Sequence, residues 1–246
     1  MQIKDIYHFL DEIAPFDTAA DFDNCGLSVG SLQKDATKIL IALDVTSEVI
    51  DEAMKMGAEL VLTHHPLIFT PVSSVTEDTL IYKAVASGIT FISSHTCLDK
   101  AVGGVNHCLA DKAGITDLVD CPGDEFLKIG NITPCSADAF AEKLRGALGG
   151  SVSYTDSGRV ISRVAVCSGS GGDLVGATAK AGADALLTGE AKHHEILASI
   201  EAGVSLFVAG HYETEVVVLE YLKRSLENRF PSVEVNVWDK SPVKYK

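Results

Sequence analysis

The sequence has no long hydrophobic run. None of its apolar stretches reaches the roughly 18 residues that a membrane-spanning helix needs, so a membrane partner is not expected. The opening segment MQIKDIYHFLDEIA carries acids inside its apolar pattern, which does not fit a signal peptide and makes the cytoplasm the expected compartment. Basic residues are also few: 20 Lys and Arg stand against 34 Asp and Glu, a formal net charge of -14. Binding to a phosphate backbone rests on clustered Lys and Arg, so nucleic acid is not an expected principal partner. The cysteines Cys25, Cys97, Cys108, Cys121, Cys135 and Cys167 contain no C-x-x-C pair. They read as reduced thiols, mostly small core residues.

What is present is ordinary for a globular enzyme, with 246 residues, 46% hydrophobic and 22% charged. That length allows one large domain or two lobes. Apolar residues at Ile3, Ile6, Phe9, Leu10 and Ile13 follow helical spacing, and Pro15 closes this helix. A loop rich in Asp, Asn and Gly runs from Asp21 to Gly30. Beyond it, short apolar runs at Ile39–Leu43, Leu60–Thr63, Thr90–Ser93, Val164–Cys167, Ala185–Thr188 and Leu206–Ala209 alternate with helical segments. Such alternation predicts βαβ units and a largely parallel sheet, an α/β fold.

The chain also repeats itself. ILIALDVTSEVIDEAMKMGAELVLT, from Ile39 to Thr63, lies against VAVCSGSGGDLVGATAKAGADALLT, from Val164 to Thr188, without a gap. Both read strand, turn, helix, Gly-Ala-acid, strand. GITFISSHTCLD, ending at Asp99, answers GVSLFVAGHYETE, ending at Glu215. Unrelated βαβ units share part of this pattern, but the recurrent His-x-x-x-acid favours a duplication. The expected lobes are residues 1–124 and 125–246, joined by turn-rich segments at Cys121–Asp124 and Gly130–Ser136, with the segment from about 205 returning to the first lobe.

Histidines end three of the apolar runs: His64 and His65 in LVLTHH, His95 in FISSH, and His211 in FVAGH. Loops at the carboxyl ends of parallel strands form the ligand crevice of open sheets. Neighbouring residues in mid-strand face opposite ways, but Pro66 ends the ladder directly after His65. Both rings can then flank one pocket. His211 and Glu215 lie four apart at an expected helix start, hence on one face, and His95 and Asp99 have the same spacing. Taken singly, these residues also fit blander roles, with His211 as a cap and Asp99 as the N-cap of the helix that runs to Ala113. Imidazoles with carboxylates and no cysteine at ligand spacing suit Zn, Mn, Fe, Co or Ni. The candidate ligands His64, His65, Asp99, His211 and Glu215 exceed what one open tetrahedral ion uses, which predicts two divalent ions. His95, His194 and Glu190 are candidates for proton transfer. The turn Ser168-Gly-Ser-Gly-Gly172 could cradle a phosphate but lacks the dinucleotide fingerprint, so it reads first as a tight turn. No cofactor-binding residue other than the metal ligands is expected, and His8 and His107 read as surface or packing residues.

DFDNCGLSVG, LVLTHHPLIF, SSHTCLDKAVGGVNHCLAD, CSGSGGD, LLTGEAKHHE and GHYETE, in this order, resemble the NIF-three-like proteins, also called GTP cyclohydrolase 1 type 2 homologues. The resemblance runs nearly end to end. It implies a two-lobed α/β protein with a dinuclear metal site in the cleft between the lobes, held by His64, His65, Asp99, His211 and Glu215, with Glu215 bridging and His95 and His194 facing the metals. It also implies a ring-shaped homo-oligomer, a toroidal hexamer. Three positions depart from the pattern: Phe22 where Trp is usual, Cys97 where Asn is common, and His107 where an acid often follows Asn106. The function expected is a metal-dependent hydrolase of a nucleotide or other small substrate, the alternative a metal-binding or regulatory protein without turnover.

Overall fold

The computed structural model describes residues 1–244, and the chain divides into two compact units. The first holds α1 (Ile3–Ile13), β1 (Gly26–Val29), β2 (Lys38–Ala42), α2 (Ser47–Met56), β3 (Leu60–Thr63), α3 (Leu80–Ser87), β4 (Thr90–Ser93) and α4 (Thr96–Lys100). The second, from Gly103 to Val218, holds α5 (Val105–Ala113), β5 (Thr116–Asp120), β6 (Lys128–Cys135), α6 (Ala137–Leu148), β7 (Ser153–Tyr154), β8 (Ile161–Val166), α7 (Val175–Lys180), β9 (Ala185–Thr188), α8 (His193–Ala202), β10 (Ser205–Val208) and α9 (His211–Glu215). Along α10 (Val217–Arg229) the chain rejoins the first unit at Leu219 and ends in β11 (Glu234–Trp238).

The unit boundary at Val102/Gly103 differs from the expected 124/125. The reason is packing: Leu109, Ala110 and Ala113 of α5 belong to the same core as Phe140, Val164 and Phe207, and β5 pairs with β6. The return to the first unit starts at Leu219 rather than near 205, because β10 pairs in parallel with β9.

In the first unit the sheet order is β1-β4-β3-β2-β11, with β4, β3, β2 and β11 parallel and β1 antiparallel on the edge. All four residues of β3 and of β4 are buried, as expected of strands covered on both faces. Thr46 caps α2 by accepting from the Val49 N–H at 3.2 Å, satisfying a donor the helix cannot. One face of the sheet packs Leu40, Val61 and Phe91 against Val49, Ile50 and Ala53 of α2. In the second unit the order is β5-β6-β8-β9-β10-β7, in which β8, β9 and β10 are parallel and the other pairings antiparallel.

Both sheets are therefore mixed: the first is largely parallel with one antiparallel edge strand, while in the second a parallel centre is flanked by antiparallel strands. β1 forms inside the expected Asp21–Gly30 loop, and β6 occupies all but the last residue of Gly130–Ser136, which the sequence marks as a connection. Gly130 and Pro134 look like turn residues, but β6 pairs with strands on both sides, and tertiary pairing overrides local preference. Gly130 has a different reason to be there: a Cβ would lie 2.6 Å from the Thr116 carbonyl of the neighbouring strand. No helix among the described residues is long and apolar enough to cross a membrane.

The two units share an order of elements, β2-α2-β3-α3-β4 and β8-α7-β9-α8-β10. The repeated Gly-Ala-acid also does the same work in each. Glu59 accepts from the Thr37 and Lys38 N–H groups at 3.0 and 2.9 Å, and Asp184 from those of Ser162 and Arg163 at 3.0 and 2.9 Å. Each carboxylate thus ties the entry of one strand to the strand beside it.

Candidate metal centre

In the first unit, three histidines come together at the carboxyl ends of β3 and β4. The ladder continues past Thr63, with His64 N–H donating to Ala42 and His65 N–H to Leu43, before Pro66 ends it. The rings of His64 and His65 lie 4.9 Å apart, and His95 stands 5.0 and 5.2 Å from them. One nitrogen from each ring falls within 4.8 Å of the others, a spacing that could hold a metal ion.

Each ring is oriented by an acceptor at Nδ1. His64, fully buried, donates to the Ser94 carbonyl at 3.0 Å. His65 donates to Asp44 Oδ1 at 2.7 Å, and His95 to Asp23 Oδ1 at 2.9 Å. A carbonyl or carboxylate can only accept, so the proton sits on Nδ1 and Nε2 becomes the lone-pair donor. Metal-binding histidines are held in this way, because the second partner fixes the tautomer and raises basicity. Asp99 lies in α4, with Oδ1 3.5 Å from His64 Nε2. It does not cap the helix to Ala113, whose N-cap is Gly104.

Asp23 organises the far side of this group. Besides His95, it accepts from the Thr96 N–H at 3.0 Å and the Thr96 hydroxyl at 2.5 Å. Burial by itself would raise its pKa, but the hydrogen bonds from His95 and Thr96 outweigh it and hold the carboxyl well below the usual range. Asp23 and Asp44 were not among the candidates from sequence. Asp44 stood two residues beyond β2 at the same carboxyl edge, and Asp23 lay in DFDNCG, so both signals were present.

In the second unit, α9 puts His211 and Glu215 on one face as their spacing predicted, Nε2 to Oε2 3.1 Å apart. The N-cap of α9 is Gly210, not His211. Glu190 Oε2 approaches His211 Nδ1 at 3.4 Å. The bond to Glu215 is the main cause that pushes the His211 pKa up to about 9; burial opposes it and Glu190 adds to it. The side chain of His194 is 75% exposed, with its Nε2 3.8 Å from Glu195.

The glycine turn is packed and bonded rather than open. Ser168 N–H donates to Asn106 Oδ1 at 2.7 Å, Gly169 N–H to Thr214 at 3.1 Å, and Gly171 N–H to Thr188 at 2.9 Å. Those donors are spent inside the protein, which argues for the tight turn over a phosphate cradle. Gly169 has φ +59°, and a Cβ there would sit 2.2 Å from Glu215 Oε1 and 3.3 Å from His211 Nε2. The turn therefore seats these two side chains.

Fold and site together define a mixed α/β protein with two sheets, whose strand ends carry histidine and carboxylate groups suited to a metal ion. The comparisons narrow this class. The family described as Duf34/NIF3 (NGG1p interacting factor 3) matches residues 1–242. A GTP cyclohydrolase 1 type 2 homologue of Clostridium perfringens is 35% identical over 245 residues, 94% of each chain. Hypothetical protein SA1388 of Staphylococcus aureus has a solved structure with a TM-score of 0.93 at 28% identity, covering 100% of this chain and 99% of that one. A Bacillus cereus protein related to NIF3 has the same fold, with a TM-score of 0.92 at 19% identity over 100% and 99% of the two chains. The chain belongs to the Duf34/NIF3 family.

Proposed function

We propose that this protein holds two divalent metal ions through His64, His65, Asp99, His211 and Glu215 and acts as a metal-dependent hydrolase of a nucleotide or other small molecule. Of these ligands, Asp99 and Glu215 lie in the short helices that follow the corresponding strands β4 and β10 of the two units. The observation that carries the reading is the triple anchoring of His64, His65 and His95 at Nδ1. The three rings offer nitrogens within 4.8 Å of one another, and fixed tautomers are what a cation requires. The donor set of imidazole and carboxylate fits Zn, Fe, Mn, Co or Ni. A bound pair of such ions supplies Lewis acidity and a water activated near neutral pH.

The chain's own residues do the rest. Asp44 and Asp23 keep His65 and His95 in their tautomers. Glu215, packed under Gly169, would be one of the carboxylates that hold the metal. His95 is close enough to His64 and His65 to be either a ligand or a proton carrier. Glu190, whose Oε2 is 3.4 Å from His211 Nδ1, would take up a proton. The relatives' name makes GTP the first nucleotide to assay. Metal-loaded protein should turn over one of a panel of nucleotides and phosphoesters, and Glu215→Ala should lose that turnover. Equal rates in the two proteins would sink the hydrolase.

A second reading, a metal-holding or regulatory protein without turnover, has the exposed side chain of His194 in its favour, since one expected proton carrier is open to solvent. It predicts full metal content with no site-dependent reaction. Under either reading we propose a cytoplasmic homo-oligomer, a toroidal hexamer, which light scattering on the purified chain would check.

A further inference from the structure

We propose that Cys25 and Cys97 form a reversible disulfide, a redox modification site beside the histidine cluster. The two come from positions 72 apart, and their sulfurs lie 3.4 Å from each other. The topology explains the meeting. β1 pairs antiparallel with β4, Gly26 opposite Ser93, so the residue before β1 is set beside the segment that leaves β4 and begins α4. Both thiols are free, Cys97 is buried and Cys25 is partly exposed, so a small oxidant has one sulfur to reach and a second one waiting behind it.

The surroundings connect this pair to the site. Cys25 Sγ donates to Asp23 Oδ2 at 3.3 Å and accepts from the His95 N–H at 3.3 Å, while Cys97 Sγ lies 3.4 Å from Ser94 Oγ. Asp23 is the carboxylate that orients His95, and Ser94 is the residue whose carbonyl orients His64. A disulfide requires the sulfurs to close to about 2.05 Å. That movement takes Cys25 Sγ off Asp23 and off the His95 amide, so oxidation loosens the frame around His95.

Hydrogen peroxide is the oxidant we assign. Cys25 sulfur attacks one peroxide oxygen; the S–O bond forms, the O–O bond breaks, and the departing hydroxide leaves as water with the thiol proton. Cys97 sulfur then attacks Cys25 sulfur; the S–S bond forms, the S–O bond breaks, and a second water carries off the remaining proton. The two thiols lose two electrons and peroxide gains them. A dithiol reductant reverses the bond by exchange.

The test uses the full chain treated with peroxide and then with an alkylating reagent. Before alkylation the intact mass should fall by two hydrogens; after it, a peptide map should join Cys25 to Cys97 while the other four cysteines carry the alkyl group; and dithiothreitol added to an oxidised, unalkylated sample should restore six free thiols. Cys25→Ser and Cys97→Ser should each abolish the link. A link through other cysteines, or oxygen added at Cys25 or Cys97 in the wild type without a link, overturns the inference. The coupling to His95 rests on the proposed metal site and is read separately, by chelator competition with zinc ion. Oxidised wild type should bind zinc more weakly than reduced wild type, with no such change in Cys97→Ser. A link that forms with zinc affinity unaltered overturns the coupling. A link that forms in a chain that binds zinc in neither state upholds the disulfide and removes the metal reading.

Discussion

Asp23 collects hydrogen bonds from His95 and from both the amide and hydroxyl of Thr96, and its carboxylate is what a neutral isostere would lack. Asp23→Asn should therefore leave the fold intact and weaken zinc binding by about 10–100-fold, the usual range for losing a histidine's outer partner. Asp44→Asn should act in the same direction through His65. Competition titration would measure both, and unchanged affinity in the pair would contradict the anchoring argument. Gly169 offers a sharper probe, since Ala must take φ +59° and meet Glu215 Oε1 at 2.2 Å. Gly169→Ala should lower the melting temperature, by about 1–3 kcal/mol of stability, and displace Glu215. Calorimetry on the metal-free protein reads the first effect, and zinc titration the second.

At the scale of elements, Glu59 and Asp184 are fastened to the strand entries by backbone donors. Burial alone would raise their pKa values, but those N–H groups favour the charged form more strongly, and both values lie below the ordinary carboxylate range. A group whose pKa is lower in the folded chain stabilises it above the unfolded pKa, about 4, and loses that contribution as pH falls through the folded value. Glu59→Gln and Asp184→Asn should thus melt earlier than wild type at neutral pH, with the gap closing below about pH 4. A gap that is constant with pH would show the charge to be irrelevant. The sequence pattern Gly-Ala-acid was legible here as a helix ending, and the function of the acid was not, because its partners lie 22 and 21 residues away.

For the molecule as a whole, the decisive feature is that one sheet is built from a contiguous stretch of chain and the other is not. Gly103–Val218 contains its entire sheet, whereas the first sheet needs β11, which arrives after the second unit has been made. Without β11, the apolar strand β2 becomes an exposed edge, a hazard for aggregation. Expressed alone, residues 103–218 should fold cooperatively, while residues 1–102 should be insoluble unless residues 219–240 are supplied. A soluble, cooperatively melting 1–102 fragment would refute this. Within the second unit, Phe207 is fully buried, with its ring 5.0 Å from that of Phe140. Phe207→Ala should cost about 3–5 kcal/mol, measured by denaturant titration.

Local pattern alone determined a good deal. Periodicity and Pro15 set α1, apolar runs set β3, β4 and β9 to the residue, and strand-end placement singled out the histidines. These features are local: a side chain's period and a proline's missing donor are written in adjacent residues. Motif order along the chain also carried the family. What only tertiary structure decided depends on distant partners. β1 and β6 exist because other strands pair with them, in spite of glycine and proline that locally signal turns. The anchors of His65 and His95 come from 21 and 72 residues away. Cys25 and Cys97, which looked like unrelated core thiols, become neighbours only when an antiparallel edge strand is laid against β4. No spacing rule encodes such contacts, because sheet register, and not sequence distance, brings the atoms together.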